Sequence, residues 1–143
     1  MRNKLTVLFI ALALLTSAQA HDDDAVAHYL ANEGLMVAHG DTKILFDPLF
    51  REDYGQYRLV PTDMRAALFE GSAPWDGIDA VFISHYHDDH FAPDEMVTLM
   101  RNQPQIWLFA PRQAVEAMRE FDPDKSLSAR ITTVNLAYRD APV

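Results

Sequence analysis

The 143-residue sequence contains no cysteine, and it is also poor in basic side chains. Without cysteine there is no disulfide, no thiolate metal ligand, no cysteine nucleophile and no lipoprotein anchor. Only 12 Lys and Arg residues stand against 21 Asp and Glu residues, which gives a net charge of −9. Nucleic acid is not expected as a partner, because binding its phosphates requires a basic surface.

Long apolar runs are also scarce, and the main one lies at the N-terminus. Arg2 and Lys4 precede an apolar stretch at 5–15, which is followed by the small-x-small triplet 18–20. This stretch is shorter than the ~20 apolar residues of a membrane span, and the pattern is typical of a secretory signal peptide. We expect a signal peptide at residues 1–20 and export to the bacterial periplasm or the medium. No stable membrane anchor is expected after cleavage.

The rest of the chain is predicted to be one domain. Residues 21–25 are acidic and are expected to form a solvated tail, which leaves residues 26–143 as the domain. This length is near the usual size of a single domain, and a composition of 49% apolar residues is sufficient for a core.

Short apolar runs predict strands at 26–30, 35–38 and 43–46, and His39-Gly40-Asp41 is typical of a hairpin turn. Further strands are predicted at 78–84, 106–109 and 131–136, and helices at 61–70, 93–101 and 111–121. The last helix is expected to place Val115, Met118 and Phe121 on one face. Strands that alternate with helices predict an α/β (α+β) fold with a mixed sheet covered on at least one side.

The segment 49–77 interrupts the strand pattern and carries Arg51, Tyr54, Tyr57 and Arg58. Two interpretations remain open. The segment is either a surface excursion with ordinary charges, or a rim over a binding site where an arginine meets a phosphate or carboxylate.

Four metal-capable side chains lie within six residues, directly after the run at 78–84. They are His85, His87, Asp89 and His90, in the spacing His-x-His-x-Asp-His. Imidazole nitrogen and carboxylate oxygen are ligands of zinc. In an extended loop the two first rings point the same way, whereas Asp89 and His90 point apart unless the chain turns. One tight turn would therefore serve two neighbouring ions, with the first pair on one and the second pair on the other.

The stretch FISHYHDDH at 82–90 resembles the signature loop of the metallo-β-lactamase superfamily. ANEGLMVAHGDTKILFDPLF at 31–50 resembles that family's opening strands, which end in Asp-Pro. The Asp-Pro form is similar to the branch of ascorbate-phosphate-lactonase-like and N-acylphosphatidylethanolamine-phospholipase-like hydrolases. The likeness extends over about residues 26–136. It implies the N-terminal half of an αββα sandwich, with a mixed sheet flanked by helices.

The resemblance also implies site residues. His85 and His87 would hold one zinc ion, and Asp89 and His90 a second, although manganese or iron would suit the same donors. Asp47 ends the third predicted strand. It is either a turn residue or a carboxylate that steadies a ligating histidine, and the resemblance favours the latter.

These residues predict a metal-dependent hydrolase. Two zinc ions would share a water, and the resulting metal-bound hydroxide would attack an ester, lactone or phosphodiester of a small-molecule or lipid substrate. Asp89 would be catalytic, because it holds metal and orients the hydroxide. The metals would stabilise the negative charge that develops.

The chain departs from the family after residue 90, because no histidine follows that position. The family takes a third histidine, a bridging aspartate and a last histidine from its second half. The simplest interpretation is a truncated chain, active as a hydrolase at full length and inactive at 143 residues. Such a chain would expose a sheet face and would aggregate or pair with a second copy. The alternative hypothesis is a non-catalytic metal-binding or structural remnant.

The export prediction is tested at the N-terminus of the protein from its native host. We expect cleavage after Ala20, because the triplet 18–20 has the small residues that signal peptidases require. N-terminal sequencing should then begin at His21. A cytoplasmic product that retains Met1 would contradict the prediction.

Overall fold

The computed structural model describes residues 24–135 and contains a six-stranded mixed sheet and three α-helices. The α/β fold class predicted from the sequence is confirmed. The predicted signal peptide, most of the acidic tail and Leu136 at the end of the last predicted strand lie outside the described residues. The strands are β1 Val26–Ala31, β2 Gly34–His39, β3 Thr42–Phe46, β4 Ala80–Phe82, β5 Trp107–Pro111 and β6 Ile131–Val134. The helices are α1 Thr62–Glu70, α2 Pro93–Asn102 and α3 Arg112–Met118, and a 3₁₀ turn spans Ser128–Arg130.

The six strands lie in the sheet in chain order. Strands β1 to β3 form an antiparallel meander, and its second turn contains Gly40 at a φ of 56°, in the left-handed region that favours glycine. Strands β3 to β6 are parallel. Each helix lies in a connection between successive parallel strands. This is the arrangement that crossover connections impose, because parallel neighbours cannot be joined by a tight turn.

All the predicted strands and helices are found, and two of them, at 78–84 and 111–121, are four residues shorter than predicted. The run at 78–84 supplies a strand of only three residues, Ala80–Phe82. The third helix ends at Met118 rather than at 121, so the prediction that Phe121 shares one helix face with Val115 and Met118 is wrong. Phe121 is 37% exposed. The chain turns there because Asp122 enters the interior, where its carboxylate accepts hydrogen bonds from Ser126, the Leu127 amide and Arg101.

The helices cover one face of the sheet. Met36, Leu45, Val81 and Leu108 occupy the centre of this face, and each is fully buried. They belong to one core with the buried side chains of the helices, among them Leu68, Met96, Leu99, Met100, Ala114 and Met118. Among residues 24–135, no helix is long and apolar enough to cross a lipid bilayer.

The opposite face of the sheet is also apolar. The rings of Phe46 and Phe82 stack with centroids 5.5 Å apart, and those of Phe82 and Phe109 stack at 4.7 Å. Phe46 is nevertheless 39% exposed and Trp107 is 50% exposed. Within residues 24–135 this face therefore has less cover than the helix-covered face, as expected for half of a two-sheet sandwich.

The difference between the two faces predicts unequal costs for two neighbouring substitutions. Leu45 is fully buried, whereas Ile44 on the same strand is half-buried on the other face. We expect Leu45→Ala to lower the free energy of unfolding by about 2–5 kcal/mol, because it leaves a cavity in the core. The matched Ile44→Ala should cost less than about 2 kcal/mol. Urea denaturation measures both, and equal losses would contradict a sheet covered on one face.

Candidate metal centre

The predicted metal-binding residues lie in a turn after β4, in the segment Ser84–Phe91. The amides of His90 and Phe91 both donate to the carbonyl of His87 over 2.9 Å. The chain therefore turns within this segment and does not remain extended. This turn brings Asp89 back towards the histidines. The spacing in the sequence alone does not determine the direction of the Asp89 side chain.

Three of the four predicted ligands converge. One donor atom from each of His85, His87 and Asp89 lies within 4.8 Å of the others. His90 is outside this group, but its Nε2 is 3.8 Å from Asp89 Oδ2, and its ring centroid is 3.7 Å from that of His85. The four side chains thus form one cluster in which Asp89 faces both sides. The structure draws no boundary between a His85–His87 pair and an Asp89–His90 pair.

The cluster fits a divalent cation. Ligands of a tetrahedral zinc ion lie about 2.0–2.2 Å from the metal, and therefore roughly 3.4 Å from one another. Donors that lie within 4.8 Å of one another therefore need to close by at most about 1.4 Å to reach this spacing. The mixture of imidazole and carboxylate suits zinc, manganese and iron.

Asp47 lies behind this cluster and is 4% exposed. Its Oδ1 accepts from the Ser84 amide at 2.8 Å, and its Oδ2 accepts from the Ser84 hydroxyl at 2.5 Å. The same Oδ2 is 3.0 Å from His90 Nδ1. A carboxylate only accepts, so a neutral His90 carries its proton on Nδ1 and presents the lone pair of Nε2 towards Asp89.

The Ser84 hydroxyl extends this arrangement to a second ring. Its oxygen is 3.0 Å from His85 Nδ1. Because the single hydroxyl proton goes to Asp47 at the shortest contact, the oxygen accepts from Nδ1 of His85. Nε2 of His85 is then also the lone-pair nitrogen, as metal binding requires.

The position of Asp47 depends on its neighbours in the sheet. Its amide donates to the Phe82 carbonyl at 3.0 Å, and its φ of 39° lies in the left-handed region, which aspartate tolerates better than most residues. A Cβ on Gly34 would meet the Ala31 carbonyl oxygen at 3.0 Å and the Asp47 carbonyl oxygen at 3.3 Å. The absence of a side chain at Gly34 therefore allows β2 to pass close to Asp47.

The structure does not support the rim interpretation of segment 49–77 at Arg51. Its guanidinium donates to Asp94 at 2.5 Å and to Glu95 at 2.7 Å, and Arg65 also donates to Glu95. Hydrogen bonds to Asp94 and then to Glu95 raise the pKa of Arg51. Arg51 is thus committed to protein carboxylates. Glu95, which is 3% exposed, was missed by the sequence analysis because Glu in a first helical turn has a simpler explanation.

The comparisons with known proteins agree with this geometry. Residues 34–92 match the sequence model described as the metallo-beta-lactamase superfamily, and the match includes Asp47, Ser84 and the whole histidine cluster. Over this segment the chain is therefore similar to the metallo-beta-lactamase superfamily. The six-stranded mixed sheet and its three helices are consistent with one half of that fold.

A relative among curated proteins gives the same indication. A 70-residue region is 36% identical to "UPF0173 protein YddR" of Bacillus subtilis (strain 168), which covers 43% of this chain and 27% of that protein. The match thus spans about a quarter of the relative's length.

The environment of His85 predicts its titration. Desolvation lowers the pKa of the His85 ring below its ordinary 6.5, His90 and His87 lower it further, and Asp47 and Asp89 oppose the shift. In the chelator-treated chain we therefore expect the His85 pKa, followed by NMR, to lie below 6.5. Asp47→Asn should lower it more, because a charge that favours the imidazolium is removed.

The control for this titration is Asp79→Asn, since Asp79 accepts from the Lys43 amide away from the cluster. It should leave the His85 pKa unchanged. A depressed folded-state pKa also means that His85 lowers the free energy of unfolding as the pH falls below 6.5, and has no such effect above it. A His85 pKa at or above 6.5 would contradict the desolvated cluster.

Proposed function

We propose that the complete protein is a divalent-metal-dependent hydrolase in which His85, His87, Asp89 and His90 hold the metal. The observation that carries the proposal is the group of donor atoms from His85, His87 and Asp89 within 4.8 Å, inside the segment that matches the metallo-beta-lactamase superfamily. Zinc, as two ions in the complete site, is the proposed metal. A single divalent ion, or manganese or iron, suits the same donors.

A divalent ion bound there would lower the pKa of a coordinated water and stabilise negative charge on a carbonyl or phosphoryl group. The chain's own residues supply orientation. Asp47 and Ser84 hold the rings of His90 and His85 by their Nδ1 atoms. Asp89 has its carboxylate between the rings, where it would accept a hydrogen bond from the attacking water and direct it at the substrate.

The proposed substrate is a small-molecule or lipid ester, lactone or phosphodiester. Exposed aromatic side chains support an apolar substrate group, because Tyr86 is 48% exposed beside His87, and Tyr54 is 57% exposed on the neighbouring loop. The guanidinium of Arg51 is engaged by Asp94 and Glu95, so a charged clamp for the substrate has no support from that residue. The proposal includes export of the protein and pairing of two copies of this chain through the apolar sheet face.

One observation favours a second candidate, a non-catalytic metal-binding protein. In the part of the chain that the structure describes, every donor of the cluster comes from the single segment after β4. A site built from one segment leaves more of the ion's coordination to water or to other groups than a closed site does. Metal binding without hydrolysis by the complete protein would favour this candidate.

The metal assignment is tested by substitution of two ligands. We expect the chain to bind zinc and the double variant His85→Ala, His87→Ala to lose most of that binding, because two of the three converging donors are removed. His39→Ala is the matched control, since His39 ends β2 at an exposed position. Zinc content after dialysis and competition with a chromogenic chelator give the two readouts.

The hydrolase assignment is tested separately with an activated phosphodiester and a lactone. We expect metal-dependent hydrolysis by the complete protein, and loss of at least about 100-fold in rate with Asp89→Asn.

Full zinc retention by the double histidine variant would overturn the site. Hydrolysis that is unaffected by chelation would overturn the reaction.

A further inference from the structure

Asn32 makes a long-range contact with the turn Ser84–Phe91, which carries the proposed metal ligands. It lies in the tight turn between β1 and β2, and its side-chain Nδ2 donates to the main-chain carbonyl of Asp89 over 2.9 Å. The two residues are 57 positions apart in the sequence. The contact is half-buried, so water competes for it less than at an exposed site.

The donor and the acceptor of this hydrogen bond are fixed by its chemistry. A carbonyl oxygen only accepts, so the amide nitrogen of Asn32 faces Asp89. The Asn32 backbone has a φ of 42°, and asparagine is among the few residues that adopt this left-handed region readily. The backbone at position 32 therefore favours Asn, Asp or Gly. Of these three residues, only Asn has a side chain that can donate a hydrogen bond.

The neighbouring carbonyl is held from another side. The amides of Arg51 and Glu52 both lie within hydrogen-bonding distance of the Asp88 carbonyl, at 3.3 and 3.2 Å. Arg51 is itself fixed by Asp94 and the buried Glu95. Two successive carbonyls of the turn, at 88 and 89, are thus held by two segments that are remote in sequence.

The backbone hydrogen bonds within the turn join His87 to His90 and Phe91. The His87 carbonyl accepts from the amides of His90 and Phe91, and these bonds do not involve the Asp89 peptide carbonyl. The direction of the Asp89 side chain depends on the orientation of its own backbone. The Asp89 carbonyl accepts instead from Asn32 Nδ2, a donor outside the turn.

We propose that Asn32 is a positioning residue that sets the direction of the Asp89 carboxylate in the metal-binding cluster. This inference rests on the proposed function, because it assigns Asn32 a role in the site that Asp89 helps to form. A purely structural role would stabilise the hairpin equally well through a donor aimed at β1 or β2. The observed donor is aimed at the backbone of a proposed ligand.

The test uses two variants and one matched control, all in the full 143-residue chain. Asn32→Asp is nearly isosteric and tolerates the left-handed backbone, but it replaces the donor with an acceptor. Asn32→Gly keeps the backbone and removes the side chain without adding charge. Asn102→Asp removes a bond of the same kind far from the turn, since Asn102 Nδ2 donates to the Phe69 carbonyl at 3.0 Å.

The first readout is amide hydrogen exchange of the chelator-treated chain. We expect the amides of His90 and Phe91 to exchange about tenfold faster in both Asn32 variants, and unchanged in Asn102→Asp. The second readout is Co²⁺ affinity, followed by the visible absorption of the bound ion. We expect about 10- to 100-fold weaker binding in both Asn32 variants, as is typical when a group that orients a ligand is lost.

The outcomes separate the inference from the proposed function. If the unsubstituted chain binds Co²⁺ and the Asn32 variants bind it equally well, the positioning role is overturned and the metal site stands. If exchange accelerates throughout the chain in the Asn32 variants, the role is structural and the inference also fails. If the unsubstituted chain binds no Co²⁺, the proposed function and the inference fail together.

Discussion

The carboxylate of Asp47 accepts hydrogen bonds from the amide and hydroxyl of Ser84 and faces His90 Nδ1 at 3.0 Å. This contact is possible because β3 and β4 are parallel neighbours, so residues that follow the two strands meet at one edge of the sheet. The pairing continues one residue past β3, where the Asp47 amide donates to the Phe82 carbonyl. The orientation of the His85 and His90 rings follows from this junction.

A second carboxylate connects the same edge to the helical layer. Glu95 is buried at the start of α2 and accepts from both Arg51 and Arg65. A buried carboxylate that loses one such partner is costly to a protein, because the remaining charge is left without compensation. The pair of arginines therefore links the segment after β3, helix α1 and helix α2 at a point next to the turn Ser84–Phe91. Rigidity at this point benefits ligands that must keep a fixed separation.

Local patterns in the sequence were sufficient for most of the fold. The meander is predicted by three short apolar runs and by the turn at Gly40, and helix α1 lies within one residue of the predicted range 61–70. The error at Phe121 arose because the helical period continues past Met118, whereas the burial of Asp122 ends the helix. Tertiary contacts decide such ends, and a period read along the chain contains no record of them.

The candidate site was predictable in its residue types and less so in its geometry. The density of His85, His87, Asp89 and His90 predicts a metal-binding motif without any structure. The roles of Asn32 and Glu95 depend on contacts across 57 and 44 positions, which no local spacing reveals. Asp47 stands between these cases, because its place at a strand end is local, whereas its contact with His90 spans 43 positions.

Gly34 shows how far the influence of such a site extends along a chain. It carries no chemistry, yet the Asp47 carbonyl oxygen lies where its Cβ would be in contact, at 3.3 Å. A methyl group at this position would first meet the Ala31 carbonyl oxygen, at 3.0 Å, and then the carbonyl oxygen of Asp47, the residue whose carboxylate contacts the His90 ring. A map of mutational tolerance would consequently register a hairpin glycine, although a search for reactive side chains passes over it.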